Sequence, residues 1–217
     1  MKLHSFVGSP HSHKTEAVIS HLGLDVEIEH HDLVGGELAT PAYVALNPNG
    51  MVPLLIDGEF TLWESNAIMQ YLADKAGSDA LFPRDPRKRA DIVRWQFWEL
   101  AHFNKAFGLL AFETVAKPKL NLGPTNNSLT DLAKADLARF VPVLERHLAG
   151  RRYLVGDDIT LADYSMITFE SYRGVVPFDW SPYRNINAYF DRMRMVNHWL
   201  RTAASDPSAL GRKPKAA

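Results

Sequence analysis

Residues 47–55 of the chain, NPNGMVPLL, place turn-forming residues directly before a short apolar run. This run contains Pro53, which lacks a backbone N–H at the point where a strand should begin. Within sheets, proline is confined to strand starts, edge strands and bulges. By itself the stretch favours an ordinary trans proline at the start of a strand, and a fixed cis turn is the alternative.

The first part of the chain alternates between strand and helix patterns. A helix after the first strand has Pro10 at its start and Gly23 just past its end, as helix termini favour. The turn Asp57-Gly58 between two apolar segments indicates a β-hairpin. These patterns predict a β-α-β unit and then a β-β-α unit, with strands at residues 2–6, 24–28, 52–56 and 59–62 and helices at residues 10–22 and 65–76.

Residues 77–86 (GSDALFPRDP) combine prolines, a glycine and charged residues, and we interpret them as a linker. Pro142, farther along, lies inside a predicted helix and is expected to kink it. The sequence predicts an α/β domain at residues 1–76 and an all-helical domain at residues 87–217. Beyond the linker no strand pattern occurs, and apolar periodicity predicts helices at residues 87–115, 128–148, 160–173 and 182–196.

The chain has 217 residues, a formal net charge of -1 and no cysteine. This charge balance gives no reason to expect nucleic acid or an anionic membrane as a partner. The lack of cysteine excludes a disulfide, a thiolate metal ligand and a cysteine nucleophile. The N-terminus turns polar after Val7, unlike a secretory signal, and no apolar run reaches the length of a membrane span, so we expect a cytoplasmic protein.

Three motifs, in this order of elements, resemble those of the cytosolic glutathione S-transferases. They are NPNGMVPLL at residues 47–55, WESNAI at residues 63–68 and DDITLADYS at residues 157–165. The resemblance extends over residues 1–205 and implies a thioredoxin-like domain that binds glutathione, followed by the all-helical domain. It also implies a homodimer, and because Asn66 stands where the family often has arginine, the dimer contacts are expected to differ.

In this family the first two motifs bind glutathione. The resemblance implies that Val52–Pro53 is a cis bond and that the backbone of Val52, with Met51 beside it, pairs with the cysteine part of glutathione like an added strand. It implies that Glu64 pairs with the ammonium of the γ-glutamyl group and that Ser65, at a helix start, holds the carboxylate. The alternative is that Ser65 only caps the helix and Glu64 only interacts with the helix dipole.

The third motif, by contrast, is a folding element. Thr160 and Asp163 form the carboxylate variant of a capping box at the start of a helix. Ile159 and Tyr164 are placed for a hydrophobic staple. This motif supports the resemblance and contributes nothing to catalysis.

A glutathione transferase must turn the glutathione thiol into a thiolate, which a hydrogen-bond donor and a helix N-terminus stabilise. Ser9 matches the serine of the serine-type classes phi, tau and zeta, with Lys14 as the basic residue that follows it. Phe6 stands where the tyrosine classes have their phenol. We predict Ser9 as the catalytic donor, with Ser12 and His11 as rivals, and the alternative role of Ser9 is that of a helix N-cap.

The glycine carboxylate of glutathione lacks the basic partner that the family usually provides. Residues 38–50 contain no basic group, and Leu38 and Ala39 stand where the phi class has a His-Lys pair. Lys14 and His11 are the substitutes that the sequence offers.

A metal site is not expected. His11 and His13 lie two residues apart on a predicted helix and therefore do not share a face. The pair His30-His31 is interpreted as the surface end of a strand. We predict that glutathione is the co-substrate and that no metal is involved.

The electrophile pocket is expected between the two domains, along the first long helix. An aromatic stripe at helical spacing is often core instead, and that alternative stays open. An apolar pocket would suit hydrophobic electrophiles. The pocket candidates are Trp95, Trp98, His102, Phe103, Phe107, Phe112 and Tyr172.

The predicted function is conjugation of glutathione to hydrophobic electrophiles, as in detoxification. Peroxide reduction, isomerisation and dehalogenation are variants that use the same thiolate. The contrasting hypothesis is a non-catalytic relative that binds a ligand or a partner, because a fold does not settle a function. The retained set of Ser9, Val52–Pro53 and Glu64-Ser65 favours the enzyme, since a scaffold protein would not need it.

Overall fold

The structure, a computed structural model, describes residues 1–32 and 35–202 and divides into two compact units. The first unit comprises Met1–Ser78 together with the segment that begins at Asn197, and the second comprises Asp79–Val196. An α/β unit and a helical unit are thus present, as the sequence predicts. The polar tail beyond Thr202 lies outside the described residues.

A four-stranded sheet in the order β2-β1-β3-β4 is the centre of the first unit. Strands β1 and β2 are parallel, and α1 supplies the crossover that a parallel pair requires. Strand β3 runs antiparallel to both β1 and β4. The strands are β1 (Lys2–Ser5), β2 (Glu27–His30), β3 (Leu54–Asp57) and β4 (Phe60–Trp63), and the helices among them are α1 (Pro10–Leu22), α2 (Pro41–Leu46) and α3 (Ser65–Lys75).

The two faces of this sheet pack against different elements. Alternate residues of a strand point to opposite faces, so Leu55 and its neighbour Leu54 enter different cores. One core combines sheet residues with residues of α1 and α3 and contains Leu3, Ile19, Leu55, Ile68 and Leu72. The other core lies against α2 and the 3-10 turn Glu37–Ala39, and contains Leu38, Tyr43 and Leu54.

Strand β2 begins later than the sequence predicts. Its alternating pattern placed a strand at residues 24–28, whereas the paired strand is Glu27–His30. Leu24 instead closes α1, because its N–H donates to Ile19 O over 3.2 Å while Gly23 adopts the left-handed conformation with φ 62°. The parallel register with β1 therefore starts only at Glu27, opposite Lys2.

Every regular element of the second unit is a helix, and loops join the helices. Its first helix is nearly continuous from Pro86 to Lys119, with π-helical segments at Glu99–Asn104 and Phe112–Ala116, a feature that often marks functional sites. Pro142 lies inside α7, which continues to His147. The helices are α4 (Pro86–Trp98), α5 (Lys105–Ala111), α6 (Lys117–Lys119), α7 (Asn127–His147), α8 (Leu161–Met166), α9 (Glu170–Arg173) and α10 (Arg184–Met193).

The capping box of the third motif begins α8. Asp163 is fully buried, and its carboxylate accepts hydrogen bonds from Leu154 N–H at 2.9 Å and from Thr160 N–H at 2.8 Å. The hydroxyls of Thr160 and Tyr189 donate to it as well, both over 3.0 Å. Burial raises the pKa of Asp163 to about 6, against the opposing effect of these four donors. The motif thus ties α8, α10 and the loop before them to one carboxylate.

The boundary between the units falls within the predicted linker, and the units differ from the predicted domains at two points. Residues 77–86 are not a free linker, because Leu81 and Phe82 are buried and Leu81 O accepts from Leu161 N–H over 3.1 Å in the second unit. The last described helix, α11 (Asn197–Arg201), belongs to the first unit and packs against α1. Trp199 stacks on the His13 ring at 3.5 Å between centroids, and its carbonyl accepts a hydrogen bond from His13 Nε2 over 3.0 Å.

The sequence missed α11 because a five-residue helix shows no usable periodicity. In the described part of the chain, no helix combines the length and the apolar character that crossing a membrane requires.

Candidate active site

Three of the predicted site segments meet at one end of the sheet. Because β3 is antiparallel to β1 and to β4, Leu54 at the start of β3 pairs with His4 on one side and with Trp63 on the other. The residues that follow β1, precede β3 and follow β4 therefore leave the sheet at the same end of the strands. They are Ser9, the Val52–Pro53 pair and Glu64-Ser65.

Ser9 is the N-cap of α1. Its Oγ accepts a hydrogen bond from Ser12 N–H over 3.2 Å, and the side chain is half-buried. A hydroxyl that accepts through a lone pair retains its hydrogen for donation to another atom. The capping role and the thiolate-binding role, which the sequence leaves as alternatives, are therefore compatible in one side chain.

Ser12 has a different environment. Its side chain is fully buried, and Oγ has no hydrogen-bond partner among the described residues. A ligand would reach this hydroxyl only after the surrounding side chains moved. The geometry thus distinguishes the two serines, because Ser9 is half-exposed and Ser12 is buried.

His11 is neutral at physiological pH. Burial and, to a smaller extent, the positive charge of Lys14 lower its pKa to about 3. The imidazole therefore supplies no positive charge to a thiolate or a carboxylate.

The depressed pKa of His11 predicts a pH-dependent stability. The unfolded chain takes up a proton near pH 6.5 and the folded chain only near pH 3, so this group's contribution to stability is complete above pH 6.5 and is lost as pH falls towards 3. The slope is at most ~1.4 kcal/mol per pH unit. Urea unfolding at pH 4.5, 5.5 and 6.5 should show a shallower dependence for His11→Gln than for the wild type.

His30→Gln is the matched control for this experiment. A hydrogen bond to Glu16 raises the pKa of His30, so its titration changes stability above pH 6.5 and not in the acidic window. An unchanged acidic slope in His11→Gln would contradict the prediction.

Asn47 organises the loop that opens the NPNGMVPLL stretch. Its Nδ2 donates to Met51 O over 2.7 Å, and its Oδ1 accepts from Asn49 N–H over 3.1 Å. Tyr43 OH donates to the same Met51 carbonyl over 2.8 Å. Gly50 has φ 59°, a conformation that glycine adopts without strain. The sequence analysis missed Asn47 and Tyr43 as positioning residues, although an asparagine two residues before another turn former is the signal of an Asx-turn.

The Val52–Pro53 peptide bond is cis in the structure. None of the described residues hydrogen-bonds the Val52 N–H or C=O, whereas the strand ladder begins at Leu54. The Met51 side chain before it is exposed. This edge of the loop therefore presents backbone groups that an extended peptide can pair with.

Glu64 and Ser65 form the start of α3. Glu64 is exposed and adopts φ 73° and ψ 108°, which is strained for a residue other than glycine. No described side chain caps this helix, so the N–H groups of its first turn keep their affinity for an anion. The local structure offers a carboxylate ligand a helix N-terminus with an acidic side chain beside it.

Lys14 is not placed for direct contact with a ligand. It is fully buried, and Nζ donates to Asn66 Oδ1 over 2.7 Å, a bond that joins α1 to α3. Lys14 as a partner for the glycine carboxylate is therefore unsupported by the geometry. Asn66, which stands where the family often has arginine, accepts the hydrogen bond from the buried Lys14 side chain.

The predicted pocket aromatics divide into core and surface groups within the helical unit. Phe103 and Phe107 are core residues that pack edge-on against Phe169, with centroids at 4.7 and 5.1 Å. Trp95 and Tyr172 are buried too. Trp98, His102 and Phe112 keep exposed area. None of the seven lines a cavity of about 460 Å³ in this unit, which is formed by Glu170, Ser171, Arg173, Gly174, Trp180 and Arg194.

Comparisons with known proteins agree on one family. Two family models match, "Glutathione S-transferase, N-terminal domain" at residues 1–74 and "Glutathione S-transferase, C-terminal domain" at residues 104–195. The chain is 36% identical over 165 residues to glutathione S-transferase 3 of Zea mays, a match that covers 75% of this chain and 73% of that protein.

Two solved structures extend the likeness over nearly the whole chain. The theta class glutathione S-transferase of Xanthomonas axonopodis pv. citri with glutathione bound is 27% identical, with a TM-score of 0.83 and coverage of 94% of this chain and 98% of that one. A delta-class glutathione transferase of Nilaparvata lugens is 29% identical, with a TM-score of 0.82 and coverage of 97% and 96%.

Proposed function

The chain belongs to the glutathione S-transferase family, and we propose that it holds the glutathione thiol as a thiolate with the Ser9 hydroxyl and conjugates it to hydrophobic electrophiles. The observation that carries this proposal is that three groups lie at one end of the sheet. They are the Ser9 hydroxyl, whose hydrogen is available to donate, the unpaired backbone of Val52, and the N-terminus of α3, which no described side chain caps. These groups correspond to the thiol, the peptide part and the γ-glutamyl end of glutathione.

In the proposed complex, the backbone of Val52 pairs with the cysteine residue of glutathione. The γ-glutamyl carboxylate lies at the N-terminus of α3, where the first-turn N–H groups and the positive end of the helix dipole stabilise it. The neighbouring ammonium pairs with Glu64. This orientation directs the sulfur towards Ser9 and the N-terminus of α1.

The Ser9 hydroxyl then donates a hydrogen bond to the sulfur and favours its ionised form, and the thiol proton passes to solvent. A free thiol has a pKa of roughly 8.5, and lowering it by two units requires about 2.7 kcal/mol of differential stabilisation. The thiolate forms a bond to the electrophilic carbon, and the electron pair displaced from that carbon leaves with the departing group. The buried position of Ser12 and the neutral state of His11 support Ser9 over its two rivals.

The proposal is tested by titrating the wild-type protein with glutathione in a calorimeter and assaying conjugation to 1-chloro-2,4-dinitrobenzene. We expect one glutathione per chain and turnover above the spontaneous reaction. Binding without turnover would favour the ligand-binding alternative, which the burial of Lys14 against Asn66 also supports. No binding at all would contradict the whole proposal.

Glu64 provides a test in which stability and binding change in opposite directions. Its positive φ costs about 1–3 kcal/mol in a residue with a side chain, so Glu64→Gly is expected to hold or raise the melting temperature. The same change removes the carboxylate and should weaken glutathione binding at least about tenfold. Calorimetric binding and thermal unfolding measure the two effects.

Glu64→Gln is the matched control, because it keeps the strained backbone and removes only the charge. We expect it to weaken binding as Glu64→Gly does, without the gain in stability. Unchanged affinity in both variants would exclude Glu64 from glutathione recognition.

We also propose a homodimer, as the family resemblance implies. Sedimentation velocity on the full chain should give twice the monomer mass of 24.4 kDa, and a single monomeric species would contradict the proposal.

A further inference from the structure

A cluster of two histidines and a glutamate lies on the sheet of the first unit, on the face opposite the α1 core. The parallel register places His4 of β1 directly opposite Glu29 of β2. His31 follows Glu29 by two residues, and its side chain meets both of them. His4 and His31 are 8% and 7% exposed, so the interpretation of His31 as strand-end surface is wrong.

The ligand-type atoms of this cluster face one another at short distances. His4 Nδ1 and His31 Nε2 are 2.7 Å apart, and the Glu29 carboxylate lies 3.8 Å from each of them. Metal–ligand bonds of about 2.0–2.1 Å in a tetrahedral zinc site separate the ligand atoms by about 3.3 Å, between these values. We propose that His4, Glu29 and His31 bind one divalent transition-metal ion, with Zn²⁺ the best match to this donor set.

Glu37 prepares His31 for this role. His31 Nδ1 donates to Glu37 Oε2 over 3.0 Å, and that carboxylate also accepts from Asp32 N–H over 3.1 Å. The bond fixes the tautomer in which His31 Nε2 carries a lone pair directed at the cluster. A carboxylate on the distal nitrogen is the usual outer partner of a metal-bound histidine, where it orients the ring and raises its basicity.

To bind an ion, His4 gives up the hydrogen bond that its Nδ1–H donates to His31 Nε2, and its proton moves to Nε2. Its Nε2 is buried and has no hydrogen-bond partner among the described residues, so neither tautomer gains a bond at that atom. Both rings also pack edge-on against Tyr43, with centroids at 5.8 and 5.4 Å. The two imidazoles are therefore held in place before any ion arrives, which lowers the entropic cost of binding.

The Lys2 ammonium competes with a metal ion for the Glu29 carboxylate. The ammonium pairs with Glu29 and Glu27 on the neighbouring strand. A bound cation must share Glu29 with this ammonium or displace it. Lys2→Met should therefore tighten metal binding, a change in the direction opposite to that of any ligand variant.

The test is calorimetric titration of the full-length protein, stripped with chelator, with Zn²⁺ alone. We expect one ion per chain and at least a 100-fold loss of affinity in His4→Gln and in His31→Gln. Glu37→Gln should weaken binding about 10–100-fold through the lost outer bond. His30→Gln is the matched control, because this adjacent histidine bonds Glu16 and is not part of the cluster.

Other outcomes overturn the proposal. One is a stoichiometry well below one ion per chain, and another is binding that survives both His4→Gln and His31→Gln. A third is loss of binding in His21→Gln, which would place the ion at the stacked rings of His21 and His198. If the cluster variants fail to fold, long-range ¹H–¹⁵N spectra of wild-type histidines decide the question. Zn²⁺ should shift His4 Nδ1 and His31 Nε2, and shifts confined to other histidines would refute the site.

Discussion

Ser9→Ala is expected to lower kcat/KM for glutathione conjugation about 100-fold, the largest effect on activity that we predict from a single side chain. The variant loses the proposed donor to the sulfur, so the pKa of bound glutathione should move towards the free value of roughly 8.5 by a unit or more. Thiolate absorbance against pH measures this change directly. Glutathione affinity at low pH, where the thiol is protonated in both proteins, should change little.

Ser9 also caps α1, so loss of the cap must be separated from loss of the donor. Removing an N-cap costs about 1 kcal/mol of stability. Ser9→Thr keeps both functions, whereas Ser9→Asp keeps the cap but places a negative acceptor where the sulfur needs a donor. We expect near-wild-type activity in the first, wild-type stability without activity in the second, and losses of both in Ser9→Ala.

Ser12→Ala is the internal control for the serine assignment. Its hydroxyl is buried without a partner among the described residues, so its removal should be neutral for stability or slightly favourable. Conjugation should also remain at the wild-type rate. A Ser12→Ala variant that loses thiolate stabilisation while Ser9→Ala retains it would reverse the assignment.

Asp163→Ala is expected to produce the largest loss of stability. The substitution leaves two buried backbone N–H groups and two hydroxyls without their acceptor, at about 1–3 kcal/mol for each unsatisfied buried group. Relief of the buried charge offsets part of this cost, and we expect a net loss of about 3 kcal/mol or more. For a chain of this size the melting temperature should fall by about 6–12 °C.

The pH dependence of this loss has a defined sign. Burial raises the pKa of Asp163 to about 6, so the folded state retains a proton that the unfolded state has already released. The wild type gains stability from this group at low pH and loses it as pH rises from about 4 through 6. The difference between wild type and Asp163→Ala should thus be greater at pH 4 than at pH 8.

Tyr189→Phe controls for the size of the Asp163 effect, because it removes one of the four donors and leaves the carboxylate in place. It should cost about 1 kcal/mol. A loss in Asp163→Ala no greater than that in Tyr189→Phe would show that the capping box does not hold α8 and α10 together.

Features that depend on neighbours in sequence were predicted from the sequence alone. The start and end of α1, the hairpin and the capping box of α8 each rest on contacts between residues a few positions apart. Together with the NPNGMVPLL stretch they identified the family and the fold class, which the comparisons confirmed. These signals survive in the sequence because proline, glycine and capping residues restrict the backbone locally.

Only the tertiary structure decided what depends on elements distant in the chain. The register of β1 against β2 brings His4 to Glu29 and His31, and no spacing in the sequence reveals that pairing. Long-range packing also buries Lys14 against Asn66 and stacks Trp199 on His13 of α1. It places Phe103 and Phe107 in a core as well. Such contacts depend on how elements pack, and the chain carries no local record of them because each partner would fit many other neighbours equally well.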